Sequence, residues 1–417
     1  MRVEVISIGD ELLLGQTVNT NASWIGQKLS LIGAEVIHGS VIRDNKTEII
    51  DTLTSALAKA DVVIITGGLG PTQDDITKST LSEFFSTELI LNNEVLERVK
   101  SFFVARGKEM LDVNIRQAFL PKSAIVLRND MGTASGMWFE HEGKVVISLP
   151  GVPYEMKHII QERVMERLQK QFNSEKAFHQ TIQLQGIGES YFADGIKELE
   201  ATLSEESIKI AYLPSTSLLR LRFSCKDTIN NKRLIGEAIK KIKSEFRNHF
   251  VGDDRKTLSE VVGELLIQQN AKLSTVESCT GGAISKEIVS VSGSSEYFEG
   301  AIVSYSNRIK NELVGVSLKS LENFGAVSQE VVEEMATFGR LKMKSDYCIS
   351  VSGIAGPNGG SEVKKVGLVW IAIASADGVE ARSFQFGDNR ERNIISTVLT
   401  ALNLLRCRLL PINKEKS

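Results

Sequence analysis

Short apolar runs alternate with segments carrying apolar residues at helical spacing from the start of the chain. Residues 3–8 predict a strand, 20–32 a helix, 34–41 a strand and 47–58 a helix. Residues 61–66, Asp-Val-Val-Ile-Ile-Thr, form the continuous β-branched run that a strand buried on both faces requires. That run enters Gly67-Gly68-Leu69-Gly70-Pro71, and a helix follows from about Asp75. The order β-α-β-α-β predicts a doubly wound parallel sheet with its ligand site beyond the carboxyl ends of the strands. A helix over 154–172 closes this first domain.

The pattern changes after residue 173. A strand over 181–184 leads through Gly186-Ile187-Gly188 to a helix, two strands follow near 208–212 and 218–224, and a charged helix spans 231–246. This region has no polar cluster and reads as a spacer or a KH-like module, although the G-x-x-G spacing of nucleic-acid-clamping loops is absent. A further α/β pattern places strands at 273–276, 300–305, 347–351, 367–374 and 381–386, with a last helix over about 393–409. The expected fold class is α/β: two doubly wound α/β domains, 1–173 and 253–412, joined by a small α+β domain, 174–252.

Composition narrows the function classes. The chain has 417 residues, 42% hydrophobic and 24% charged, which excludes a disordered, collagenous or coiled-coil protein. A formal net charge of −3 argues against a dedicated nucleic-acid binder. The 4 cysteines are scattered without C-x-x-C spacing, so neither a zinc site nor a disulfide framework is expected. No secretory signal is readable, and no apolar run approaches the ~20 residues a bilayer requires, so the expected location is cytoplasmic.

Two strand-to-helix turns carry candidate chemistry. Around Gly67, Gly68 and Gly70, backbone N–H groups can approach an anion and the following helix adds a positive dipole. Asp74 and Asp75 stand at that helix start, where an N-cap is the simpler reading of either alone. Together, beside a phosphate cradle, they also suit a divalent cation bridging the phosphates. Asp10 and Glu11 follow the first strand at the same sheet edge, and either reach this site or remain in a solvated loop.

The second turn is Glu277-Ser278-Cys279-Thr280-Gly281-Gly282. A serine there lies near free backbone N–H groups and can be a nucleophile or merely a helix cap. All 5 histidines, His38, His141, His158, His179 and His249, precede this region. A lysine of lowered pKa is the usual substitute base, and Tyr305-Ser306-Asn307-Arg308-Ile309-Lys310 offers a lysine and a tyrosine just past the next strand. Both residues also fit an ordinary surface position. Cys279 is read as packing.

These residues carry a resemblance. Gly9-Asp10-Glu11-Leu12-Leu13-x-Gly15, Asn19-Thr20-Asn21, the loop 67–77, Asn114-Ile115-Arg116-Gln117-Ala118, the segment 129–136 and Leu149-Pro150-Gly151-Val152-Pro153-Tyr154-Glu155-Met156 resemble the CinA family (competence/damage-inducible protein A). Molybdopterin-binding proteins share the fold, but Leu69 replaces their small hydroxyl residue and favours the CinA branch. The resemblance implies a metal-dependent ADP-ribose pyrophosphatase. On that expectation Asp75 and Glu11, supported by Asp74 and Asp10, hold a divalent metal ion of unspecified identity. Gly67, Gly68 and Gly70 take the phosphates, and Asn19 joins the substrate site.

Ser278-Cys279-Thr280-Gly281-Gly282, Tyr305-Ser306-Asn307-x-x-Lys310, Gly325-Ala326-Val327-Ser328 and the segment 352–360 are similar to the family's C-terminal domain. That likeness implies nicotinamide mononucleotide deamidation by Ser278, Tyr305 and Lys310, with no cofactor. Thr280, Gly281 and Gly282 would supply oxyanion contacts. Ser352, Gly353 and Gly356 belong to a ligand loop or an inter-strand turn, and Arg390 would take the 5′-phosphate. Asn389 stands where the family usually has arginine. The implied partners are nicotinamide mononucleotide, ADP-ribose and, by family analogy alone, a second copy in a homodimer; no nucleic acid or membrane is expected. The competing expectations are a non-catalytic regulator linked to competence or DNA damage, and a molybdopterin-binding protein.

Overall fold

The computed structural model describes residues 1–72, 75–253 and 255–411. The chain forms two compact units: Met1–Phe178 with Lys226–Thr228, and His179–Cys225 with the chain from Ile229 onward.

In the first unit the strands are β1 (Arg2–Ile8), β2 (Glu35–Ile42), β3 (Val62–Thr66), β4 (Leu89–Leu91), β5 (Phe119–Pro121), β6 (Ile125–Leu127), β7 (Gly136–His141) and β8 (Lys144–Leu149). Six of them form one sheet in the order β2-β1-β3-β8-β7-β6. The three predicted strands lie together and parallel, β1 pairing with β2 and β3. Beyond β8, which runs parallel to β3, the sheet turns antiparallel through β7 and β6. The purely parallel sheet of the sequence reading is therefore a mixed one. The physical reason is the tight link between β7 and β8, where Glu142 and Gly143 both have positive φ, the backbone of a two-residue hairpin.

Alternation along the buried strands explains the two helical layers. Val62 and Ile64 face one core with Ile25, Leu29, Met156 and Ile159. Val63 and Ile65 face the other with Ile49, Leu53, Leu81 and Val95. Both faces of β3 are fully buried, as its unbroken β-branched run requires. The expected 154–172 helix is continuous but contains a π-helical turn over Ile160–Val164, and it ends where Asn173 adopts the left-handed conformation.

The second unit contains two sheets. β9 (Ala177–Gln185), β10 (Lys209–Ser215), β11 (Leu218–Lys226) and β12 (Phe250–Asp253) form a four-stranded sheet in the order β10-β11-β9-β12. β13 (Leu273–Glu277), β14 (Phe298–Val303), β15 (Tyr347–Gly353), β16 (Leu368–Ser375) and β17 (Gly378–Gln385) form the other, ordered β14-β13-β15-β16-β17. Here too only part of the sheet is parallel: β13 runs with β14 and β15, whereas β16 and β17 are antiparallel. The helices Leu258–Gln268, Ala283–Val289 and Arg390–Leu409 pack on one face, and Gln329–Met343 on the other.

The last of these helices approaches the sheet closely at Gly339, where a Cβ would collide with Val276 and lie 3.0 Å from the Cys348 sulfur. Gly339→Val is expected to destabilise the protein by about 1–3 kcal/mol through overpacking, read as a lowered midpoint in urea. No helix among the described residues is long and apolar enough to cross a membrane.

Candidate functional site

The serine turn begins where β13 ends. Ser278 is buried, and its N–H donates to Val351 O of the neighbouring strand at 3.1 Å. Gly281 and Gly282, with φ of 62° and 99°, carry the chain through a left-handed turn into the helix Ala283–Val289. Lys310 arrives from beyond β14, where Ser306 caps a short helix by accepting from the Ile309 N–H. Its side chain is 1% exposed. Lys310 Nζ lies 2.9 Å from Ser278 Oγ, 2.7 Å from Ser304 O and 3.4 Å from Tyr305 O.

This environment favours a neutral amine. Burial pushes the Lys310 ammonium down from 10.5 to about 8, with the neighbouring Cys279 opposing that shift. None of its three hydrogen-bond partners is a carboxylate. The protonated form donates to all three partners, and after losing a proton the amine keeps two N–H groups for the carbonyls and turns a lone pair to the Ser278 hydroxyl.

Glu277, fully buried and not singled out from the sequence, organises the turn. Its Oε2 accepts from Thr280 Oγ1 at 2.7 Å, Gly282 N at 3.1 Å and Ile284 N at 3.0 Å. Its Oε1 accepts from Ser285 N at 2.9 Å and from the Ser285 and Thr275 hydroxyls. Gly281 N–H donates to Ser278 O. The amides of Gly281 and Gly282, expected to face an oxyanion, are thus committed inside the turn. Among the described residues the Thr280 N–H has no protein acceptor, and the Cys279 N–H bonds to no other residue, only to its own thiol.

The other expected groups divide in two. Tyr305 is exposed at the rim, and its hydroxyl accepts from Arg390 Nη2 at 3.4 Å rather than bonding to Ser278 or Lys310. Arg390 Nη1 donates to Gly356 O at 3.0 Å, so Arg390, Tyr305 and the Gly356 loop do come together. Ser352 instead turns inward, its Oγ donating to Ala326 O at 2.7 Å. A Cβ on Gly353 would meet the Val369 side chain at 2.6 Å, so Gly353 is there for packing. Asn393, missed in the sequence, donates to both Ala355 O and Gly387 O at 2.9 Å and ties the two loops at the rim. A lone Asn near a helix start carries no signal of that bridging role.

The glycine turn after β3 is built differently from the expectation. Gly68 has φ of 65°, and a Cβ there would collide with Thr77 Oγ1 and lie 3.3 Å from Asp44 Oδ1. Thr77 is fully buried and its hydroxyl has no partner among the described residues. The Asp75 carboxylate folds into its own loop: Oδ1 accepts from Gly70 N at 2.8 Å and Oδ2 from Thr72 N at 2.9 Å and from the Thr72 hydroxyl. Gly67 packs against Ile8 O. Asn19 caps the helix Thr20–Ser30, accepting from Ala22 N at 3.1 Å while donating to Ser7 Oγ at 2.9 Å. Lys78, also missed, donates to Arg116 O at 2.6 Å, and burial pushes its ammonium down to about 8 against the field of Asp75.

The divalent metal expected here fits poorly. Both Asp75 oxygens are engaged by the loop, and Asp10 and Glu11 are exposed, with Glu11 folded back over Gly9. Asp74 lies outside the described residues. Among the described residues no three His, Cys, Asp or Glu side chains converge on a common point. Loop-anchoring, not cation binding, is what the Asp75 geometry performs.

A mixed α/β unit with a glycine turn, followed by a second α/β unit bearing a buried serine–lysine pair, defines the class. Residues 4–170 match the probable molybdopterin binding domain, 179–252 the damage-inducible protein CinA KH domain, and 255–409 the CinA C-terminal domain. A CinA-like protein of Flavobacterium psychrophilum is 43% identical over 409 residues, spanning 97% of this chain and 98% of that protein. A putative competence-damage inducible protein of Caldicellulosiruptor saccharolyticus is 40% identical, across 97% of this chain and 98% of its own. A crystal structure of the protein CinA from Thermoplasma acidophilum is 36% identical and has a TM-score of 0.37, covering 40% of this chain and 96% of that one. The chain belongs to the CinA family.

Burial pushes the Cys279 thiol up to about 12, which removes its nucleophilic form at neutral pH. Iodoacetamide at pH 7.5 is therefore expected to leave Cys279 unmodified in the folded protein and to alkylate it after denaturation, as read by peptide mass spectrometry.

Proposed function

We propose that the second unit is a serine–lysine amidohydrolase acting on nicotinamide mononucleotide. The observation that carries this reading is the 2.9 Å contact between Ser278 Oγ and the buried Lys310 Nζ, which has no carboxylate among its hydrogen-bond partners. Ser278 Oγ attacks the carboxamide carbon while its proton passes to the Lys310 lone pair. The tetrahedral oxyanion is received by the N–H groups of Cys279 and Thr280. Lys310 returns the proton to the departing nitrogen, the C–N bond breaks and ammonia leaves an ester on Ser278. Water then attacks the ester, again giving its proton to Lys310, and nicotinic acid mononucleotide leaves as Ser278 regains its proton. At the rim, the Arg390 guanidinium, which donates to Gly356 O and the Tyr305 hydroxyl, takes the 5′-phosphate in this reading.

Ammonia release from nicotinamide mononucleotide should be lost in Ser278→Ala and fall about 100-fold or more in Lys310→Met. Only the unprotonated amine accepts the serine proton, so the wild-type rate should rise with pH through a midpoint near about 8. A wild-type protein that releases no ammonia rejects the substrate assignment, and a flat profile from pH 6 to 9 rejects Lys310 as the base.

For the first unit the proposed activity is hydrolysis of the diphosphate linkage of ADP-ribose. What supports it is the glycine turn at a helix start, where the left-handed Gly68 lies against the buried Thr77 hydroxyl, which has no partner among the described residues. No hydrolytic step is drawn through a metal, because the described carboxylates do not compose a centre for one. Asp75→Asn turns one carboxylate oxygen into an N–H donor facing loop N–H groups. It should weaken ADP-ribose binding about 10-fold in calorimetry without added metal, whereas unchanged affinity would remove Asp75 from the cradle.

A further inference from the structure

We infer that Glu277 is the positioning residue that gives the serine turn its reactive shape, a role that rests on the amidohydrolase reading above. The carboxylate is fully buried at the last position of β13, directly before the nucleophile. Two oxygens receive three backbone N–H groups, those of Gly282, Ile284 and Ser285, and the hydroxyls of Thr280, Ser285 and Thr275. Each of those N–H groups belongs to the last residue of the turn or the first turn of the following helix, where no intrahelical acceptor exists. Glu277 therefore satisfies from behind the donors that would otherwise compete for an anion in front.

That division decides which amides meet the substrate. With Gly281 N–H taken by Ser278 O and Gly282 N–H by Glu277, the Cys279 and Thr280 N–H groups remain to face a developing negative charge beside Ser278 Oγ. Glu277 touches neither Ser278 Oγ nor Lys310 Nζ through any hydrogen bond, so it acts through the backbone of the turn. An amide in its place keeps the shape but presents an N–H₂ group to at least one of the donors now satisfied. The hydroxyls can rotate away from that clash and the backbone N–H groups cannot.

The experiment uses the full chain and two readouts: ammonia release from nicotinamide mononucleotide, and acylation of Ser278 by p-nitrophenyl acetate, located by peptide mass spectrometry. Glu277→Gln should lower kcat at least 10-fold with KM within twofold. The pH midpoint should stay near that of the wild type, because the groups around Lys310 are unchanged. Ser278 acylation should slow by a similar factor. Ser285→Ala, which removes one hydroxyl donor and leaves the carboxylate in place, should lower kcat two- to fivefold in the same direction and serves if the first variant does not fold. Wild-type kcat and acylation rates in both variants would overturn the inference. A shifted pH midpoint with raised KM would overturn it as well, by pointing to general disruption of the site. If the wild type is acylated at Ser278 but does not turn over nicotinamide mononucleotide, the substrate reading fails, and the acylation rates still decide the role of Glu277.

Discussion

A lysine side chain sealed from water with no carboxylate among its hydrogen-bond partners is the constraint around which the second unit is arranged. Water would hold the Lys310 proton to about 10.5, and burial lowers that to about 8. Keeping the charge there is thus roughly 3 kcal/mol less favourable than in solvent. The surroundings answer with two carbonyl acceptors and one hydroxyl, a set that suits a base and not an ion pair. A carboxylate at hydrogen-bond distance would restore the ammonium and end the usefulness of the amine. The nearest organising acid, Glu277, is directed at the backbone of the turn instead.

The two strand-to-helix turns solve one problem in parallel ways. A chain that leaves a buried strand and enters a helix exposes several N–H groups in quick succession. In the serine turn the carboxylate of Glu277, directly before Ser278, collects three of them. In the glycine turn Asp75, on the helix side, reaches back to the N–H groups of Gly70 and Thr72. Each acid fixes the loop and thereby selects which donors face outward. What remains after the internal acids have been served is the Cys279 and Thr280 amides in one turn, and in the other Gly68 against the buried Thr77 hydroxyl.

Much of the fold was legible because its signals are local. The β-branched run at 61–66 became β3, and all five strand candidates beyond residue 253 became β13 to β17. The direction of the strands was not legible, since pairing across β7 and β8 depends on a two-residue turn, and that of β15 with β16 on the path of the long loop 354–367. Strands β4, β5 and β6, three residues each, were too short for any periodicity to register. At the site, the serine and lysine were legible as an elimination: a nucleophile candidate in a region without histidine. The place of Tyr305 was not legible, because a spacing in sequence cannot reveal that the phenol lies on the rim beside Arg390. Asp75 was read as facing a ligand and folds into its own loop, and Ser352, read as part of a ligand loop or an inter-strand turn, bonds to Ala326 O of a distant segment.

By itself the sequence determined the residue types and their order: which runs must be buried, where glycines free the backbone, and the family whose motifs these are. Only the tertiary structure decided which polar groups are consumed internally and which are left for chemistry. The reason is that a hydrogen bond is a matter of orientation over about 3 Å, and the partners here come from separate strands and loops. Ser278 and Lys310 are 32 positions apart, and Asn393 reaches 38 positions back to Ala355. No local pattern encodes those approaches. They follow from the register of β13 between β14 and β15, and from the burial that the packed sheet imposes on the lysine.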